Sequence, residues 1–131
     1  MEFIDLHTHS NCSDGSMSPS ELVAHAAERG LKAIALSDHD TIAGIDEAID
    51  AGKKYGVEVV PAIEFSVQSA TETHILGFYI DHKSEIIMRA LENINSVRWQ
   101  RTVNTCNKLR ELGFDVTLEE AQAIAPSGII G

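Results

Sequence analysis

The chain has 131 residues, 44% of them hydrophobic, and 20 acidic side chains against 10 basic ones give a formal net charge of −10. That length suits one domain with an adequate core, and a field of this sign repels duplex nucleic acid and anionic membranes. Cys12 and Cys106 are too few for a disulfide framework and form no CxxC pair, which points to a reduced, cytoplasmic setting. No basic segment followed by an apolar stretch opens the chain, and no run approaches a membrane span, so a soluble protein is expected.

In chain order, Phe3-Ile4-Asp5-Leu6-His7 reads as a short strand that ends at a His-x-His pair. Ser18-Pro19-Ser20-Glu21 is a helix start, with Ser18 as N-cap, Pro19 at the first helical position and Glu21 closing a capping box. That helix turns Leu22, Val23 and Ala26 inward and stops at Gly30. Ala33-Ile34-Ala35-Leu36 has the continuous apolar pattern of a strand buried on both faces, and Asp38-His39-Asp40 follows it. A second helix spans Ile45 to Tyr55 and ends at Gly56.

Val57 to Ile63 reads as a third strand leading into Glu64. Pro61 counts against it unless the strand is bulged or locally at an edge, because proline cannot donate to a ladder. Thr73 to Ile80 is a fourth strand. The stretch between Glu64 and His74 is too short for a helical crossover, so these two strands pair antiparallel and bring Glu64 and His74 to one rim. Ser84 to Leu112 is helical, with Gly113 as its stop. An unbroken helix of that length would run about 40 Å, so a break or an excursion from the main layer is expected. Thr117-Leu118-Glu119-Glu120 opens a short helix that ends near Pro126, and no repeat or low-complexity segment is present.

The chemically suggestive residues fall at the C-terminal ends of the strands: His7 and His9, then His39, then Glu64. Parallel α/β folds carry their sites at that rim. Two histidines one residue apart can share a strand face. Imidazoles gathered with carboxylates suit Zn, Mn or Fe, whereas Mg favours an all-oxygen set. Cys12 lies within this region, where a small loop residue is the favoured reading over a ligand. His25 and His82 lie outside the motifs and read as surface residues, and Trp99 as packing. Asp5 and Asp38 flank the histidines and are placed to orient them by hydrogen bonds.

Four ordered motifs, Asp5-Leu6-His7-Thr8-His9-Ser10 with Ser13-Asp14-Gly15, Ser37-Asp38-His39-Asp40-Thr41, Pro61-Ala62-Ile63-Glu64-Phe65-Ser66 and His74-Ile75-Leu76-Gly77, resemble the PHP (polymerase and histidinol phosphatase) superfamily. They are most similar to its stand-alone metal-dependent phosphoesterase branch, which includes nucleoside 3′,5′-bisphosphate phosphatases and an oligoribonuclease activity. The resemblance implies an α/β fold, the N-terminal part of a distorted (β/α)7 barrel. Residues 1–83 would form its first half, and residues 84–131 the start of a helical insertion.

It also implies up to three divalent ions (Mn, Zn, Fe or Mg). His7, His9 and Glu64 would hold the first, Glu64 would bridge to a second shared with His74, and Asp14 with His39 would hold a third. Asp40 is the candidate catalytic carboxylate, acting by orienting His39 or a water at the metal site; an anion at a helix N-terminus is the competing reading. Arg98 and Arg101, three residues apart, are candidates to clamp a second phosphate of the substrate.

The pattern departs from the family at Ala62, where many relatives have Gly. Relatives also carry a further histidine, an Asp-x-His and a Gly-Arg-Pro-His-like motif beyond the positions present here. A fragment of a longer protein is favoured over a naturally truncated relative. The expected partner is a phosphorylated small molecule or nucleotide. Self-association is expected of a chain with an open barrel. A histidinol-phosphate phosphatase and a noncatalytic metal-binding module are the alternatives.

Overall fold

A computed structural model of the chain describes residues 2–67, 71 and 73–124. Six of the elements are β1 (Phe3–Thr8), α1 (Pro19–Glu28), β2 (Leu31–Leu36), α2 (Ile45–Tyr55), β3 (Glu58–Val67) and β4 (Thr73–Phe78). Two further helices follow, α3 (Glu85–Glu111) and α4 (Leu118–Ile124). The sheet has the order β1-β2-β3-β4. Its first two pairings are parallel and the last is antiparallel, as the short β3–β4 connection requires.

Local signals set the helix boundaries. The Ser18 side chain accepts from the Glu21 backbone N–H at 3.3 Å, and the Glu21 carboxylate accepts from the Ser18 N–H at 2.8 Å. The Ser18 backbone N–H, and after it the Ser18 hydroxyl, hold the Glu21 carboxyl below its ordinary pKa. Thr117 and Glu120 repeat the device ahead of α4. The end expected near Pro126 lies outside the described residues.

The core forms where α1 and α2 cover one face of β2. Val23 and Ala26 meet Ile34 and Leu36 of the strand, with Ala48, Ala51 and Val57 completing the cluster. The opposite face carries a second, smaller cluster of Ala35, Val60 and Ala62. With both faces covered, β2 needs the continuous apolar run it has. The edge strands differ: Phe3, Ile4 and Leu6 of β1 and Ile75 and Phe78 of β4 are exposed.

Pro61 sits inside β3 without breaking it, at a change of partner. Residues 58–61 pair with β2, the last pair being Leu36 with Pro61, and the pairing with β4 begins at Ala62, opposite Phe78. The missing N–H therefore falls where no ladder bond toward β4 is due, which is locally an edge position. The fourth strand stops at Phe78 rather than Ile80. Tyr79 has φ 54°, a left-handed conformation that ends the extended run.

Of the two expectations for the long helix, a break or an excursion from the main layer, the break is not there. α3 runs uninterrupted for 27 residues, and its sequence contains no Pro or Gly to kink it. Only Leu91, Thr102 and Cys106 of α3 are buried, so most of its surface faces solvent. Among the described residues no helix is long and apolar enough to cross a membrane.

Candidate metal centre

Most groups at the site lie near the end of a strand or just beyond it, while Glu64 lies inside β3, which continues past the expected Ile63 to Val67. His7 lies on β1, and His9 just after it. His39 follows β2 and is held beside β3 by an isolated parallel bridge to Glu64. Glu64 pairs with Leu76 across the β3–β4 ladder, and His74 pairs with Ser66. The ladder thus delivers Glu64 and His74 to one rim, as expected from the short connection.

The four imidazoles surround Glu64, which is only 5% exposed. Its Oε2 lies 2.7 Å from His7 Nε2, 3.1 Å from His9 Nε2 and 3.7 Å from His39 Nδ1, while Oε1 lies 2.8 Å from His74 Nδ1. Burial pushes the Glu64 carboxyl up, but hydrogen bonds with His7 and His74 and the charges of His39 and His7 outweigh it. The net pKa falls below the ordinary glutamate value. Asp14, largely exposed, is 3.2 Å from His9 Nδ1 and 3.6 Å from His39 Nε2. Successive rings His7, His9, His39 and His74 stand 5.0, 4.6 and 4.9 Å apart between centroids.

Three overlapping groups result: His7, His9 and Glu64; His9, Asp14 and His39; His39, Glu64 and His74. Within each, the potential ligand atoms lie within 4.8 Å of one another. Donors about 2.0–2.2 Å from a shared Zn-like ion stand roughly 3–3.5 Å apart, close to the spacings seen. His39 Nδ1 is buried without a hydrogen-bond partner, its 3.7 Å approach to Glu64 being too long for one. A buried nitrogen left unpartnered beside a carboxylate is open to a cation, and the residues present fit divalent cations.

The loop carrying Asp14 is clamped from below. Asp38, 2% exposed, accepts from the Ser10 N–H at 2.7 Å, the Ser10 Oγ at 2.6 Å and the Ser13 Oγ at 2.6 Å. These bonds fix residues 10–13, and the Gly15 N–H closes the turn on the Ser10 carbonyl at 2.9 Å. A Cβ at position 15 would come within 2.4 Å of the His9 carbonyl oxygen, so only glycine fits. Asp38 thus acts on the rim through the loop, and the seryl motif residues are what it holds. Asp5 accepts from the backbone N–H of His7 at 3.1 Å.

Asp40 does not make the hydrogen bond to His39 that would orient the ring directly. Its φ of 50° turns the side chain away, toward the Ser66 N–H at 2.9 Å and the Arg98 guanidinium. A buried carboxylate takes the strongest partner in reach, and that is the arginine. Arg98 thus reaches the rim, whereas Arg101 is exposed and has no side-chain partner among the described residues. Cys12 joins none of the three groups. His82, read as a surface residue, is mostly covered, bonding to Asp46 at 3.0 Å. Nothing local in the sequence marks Ser66 as a partner of Arg98, which lies 32 residues away.

An α/β sheet with four imidazoles and two carboxylates at the strand ends defines a rim-sited metal-binding fold. The PHP domain model matches residues 5–118, and the chain belongs to that family. A 5′-3′ exoribonuclease of Haemophilus influenzae is 39% identical over 122 residues, 92% of this chain and 44% of that protein. A 3′,5′-nucleoside bisphosphate phosphatase of Chromobacterium violaceum is 37% identical over 102 residues, 77% of this chain and 36% of the relative.

Among solved structures, an amidohydrolase of Chromobacterium violaceum with bound sulfate and no metal superimposes with a TM-score of 0.87 at 32% identity. The match covers 97% of this chain and 46% of that one. The curled sheet of β1 to β4 is the matching part of a PHP barrel. The chain spans less than half the length of these relatives.

Proposed function

We propose that the intact protein is a metal-dependent phosphoesterase acting on phosphorylated small molecules or nucleotides, with nucleoside 3′,5′-bisphosphates and short oligoribonucleotides as the leading substrates. The observation that carries this reading is the Glu64-centred cluster with its orphan His39 nitrogen. The activities named for the exoribonuclease and the bisphosphate phosphatase to which the chain is similar support it.

In this reading His7, His9 and Glu64 hold one ion, Glu64 and His74 with His39 a second, and Asp14 with His39 and His9 a third. The mixed nitrogen and oxygen donors suit Mn, Zn or Fe better than Mg. When bound, such ions supply charge neutralisation at a phosphoryl group and activate a water for attack. The protein's part is to hold the donors. Glu64 offers one oxygen to the His7–His9 side and the other to His74, so a single buried carboxylate spans two groups. Asp38 fixes the loop that brings Asp14 to the rim. Asp40 belongs with the orienting groups, its carboxylate being engaged by Ser66 and Arg98. Arg101, and the part of the Arg98 guanidinium not engaged by Asp40 and Ser66, are the cationic donors offered to a second phosphate.

Residues 1–83 read as the first half of the barrel and 84–131 as the start of a helical insertion. The exposed apolar residues of β1 and β4 lead us to expect self-association when this 131-residue segment is made alone. The free thiols of Cys12 and Cys106 fit a cytoplasmic setting, and the net charge disfavours membranes and duplex nucleic acid.

The test is an assay of the intact protein, stripped of metal and reloaded with Mn, Zn, Fe or Mg in turn. Substrates are a nucleoside 3′,5′-bisphosphate, a short oligoribonucleotide and an aryl phosphate. Metal-dependent turnover that Glu64→Gln lowers by several orders of magnitude is the expected result. Absence of turnover with every metal and substrate would reject the reading.

A further inference from the structure

We propose that Asp40 and Arg98 form a positioning pair that fixes helix α3 against the metal rim, coupling the site to an element that is otherwise barely packed. The inference rests on contacts in the protein itself and holds whatever the substrate proves to be.

Arg98 stands in the inward stripe of α3. Leu91, Thr102 and Cys106 are the buried members of that stripe, and Ile87 and Ile94 are partly buried. An arginine in the middle of an apolar stripe needs a counter-charge, and its side chain is only 16% exposed. Asp40 supplies it, with a side chain that is 0% exposed. Neither charge is tolerable alone at such burial, so each fixes where the other must be.

Asp40 is also tied to the ligand-bearing segments. Its backbone N–H donates to the Glu64 carbonyl at 3.0 Å, and its carboxylate accepts from the Ser66 N–H at 2.9 Å. It directly follows His39. The same Nη2 of Arg98 that meets Asp40 donates to Ser66 Oγ at 2.8 Å. One guanidinium thus grips the loop after β2 and the end of β3 together. The left-handed backbone at Asp40 is an uncommon conformation for a residue other than glycine, and it is what turns the carboxylate toward α3.

The chain's single tryptophan is Trp99, next to Arg98 and 40% exposed, so its emission reports where α3 lies. The experiment uses the intact, metal-free protein, with the Trp99 signal taken by difference against Trp99→Phe, and four variants: Asp40→Asn, Arg98→Gln, their combination, and Arg98→Lys. Asparagine keeps the shape of Asp40 and tolerates its φ, so the loss is the charge alone.

Asp40→Asn, although 59 residues from Trp99 in sequence, should shift the indole emission toward that of an exposed ring. It should also speed hydrogen exchange in α3 while β2 stays protected. Arg98→Gln should do the same, the double variant should add little to either single, and Arg98→Lys should restore part of the effect. Unchanged emission and exchange in Asp40→Asn, or loosening spread equally over β2 and α3, would overturn the proposal. Should Asp40→Asn fail to fold, Ser66→Ala keeps both charges and removes one grip. A smaller shift of Trp99 in the same direction supports the pair, and no shift overturns it.

Discussion

Strand β2 and helix α3 are held in place by opposite means. β2 is enclosed on both faces, and its side chains Ile34, Ala35 and Leu36 are at most 1% exposed. α3 is more than four times as long, yet buries three residues and leaves Ile86, Val97 and Trp99 exposed. The strand is fixed by many nonspecific apolar contacts, so its position tolerates no alternative. The helix is fixed by few contacts, chief among them an ion pair. An element secured by area and an element secured by a few polar points respond to perturbation differently. His39 follows directly on the first kind, and the Arg98–Arg101 pair lies on the second.

The sharpest way to break this contrast is at the rim. His9 takes part in two of the three ligand groups, so His9→Ala should abolish the dominant metal site in a Zn or Mn titration followed by calorimetry. Unchanged stoichiometry would mean the rim is not organised around that ring. The packing contrast comes next. Ile34→Ala should cost about 2–5 kcal/mol in chemical denaturation, whereas Ile86→Ala, on a side chain 81% exposed, should stay within about 0.5 kcal/mol. Similar losses at both positions would show that α3 buries a face of its own.

A functional version of the comparison uses Arg101→Ala. If the exposed guanidinium meets a remote phosphate, kcat/KM should fall about tenfold, the worth of about 1.4 kcal/mol, on a bisphosphorylated nucleotide and hardly at all on an aryl phosphate. Equal losses on both would point to folding instead.

The smallest expected effect concerns the link between α2 and the segment before α3. Asp46 accepts from Lys83 and from His82, and these hydrogen bonds, Lys83 first, hold its pKa below the ordinary aspartate value. A depressed pKa contributes stability above the unfolded value of about 3.9 and loses it as pH falls through the folded value. The melting-temperature gap between the wild type and Asp46→Asn should therefore be present near neutral pH and close in acid. A gap that widened in acid would contradict the sign.

What the sequence revealed depended on distance along the chain. The capping boxes at Ser18 and Thr117 and the glycine stop at Gly56 are complete within a few residues, so α1, α2 and the start of α4 could be read directly. The His-x-His pair, His39, Glu64 and His74 were legible as a set because each falls near the end or start of a predicted strand. Tertiary pairings were not. Nothing local announces that Asp40 turns to Arg98, or that Asp38 would serve Ser10 and Ser13 instead of a histidine. For α3, length alone left a break and an excursion from the main layer equally open; the absence of any Pro or Gly between Glu85 and Glu111 decides for continuity.

Pro61 divides β3 into two stretches with different partners, and that division bears on the order in which the molecule assembles. The stretch beyond it pairs with β4 through a hairpin, a contact close in sequence that forms in about 1–10 μs. The stretch before it must wait for β2, which is reached only through a helix and pays a larger closure entropy. Glu64 and His74 therefore lie on a unit able to form early, and His7, His9 and His39 on one that forms later. If the rim holds a cation as proposed, the ion would meet a carboxylate and one imidazole first, and the other imidazoles as the parallel strands dock.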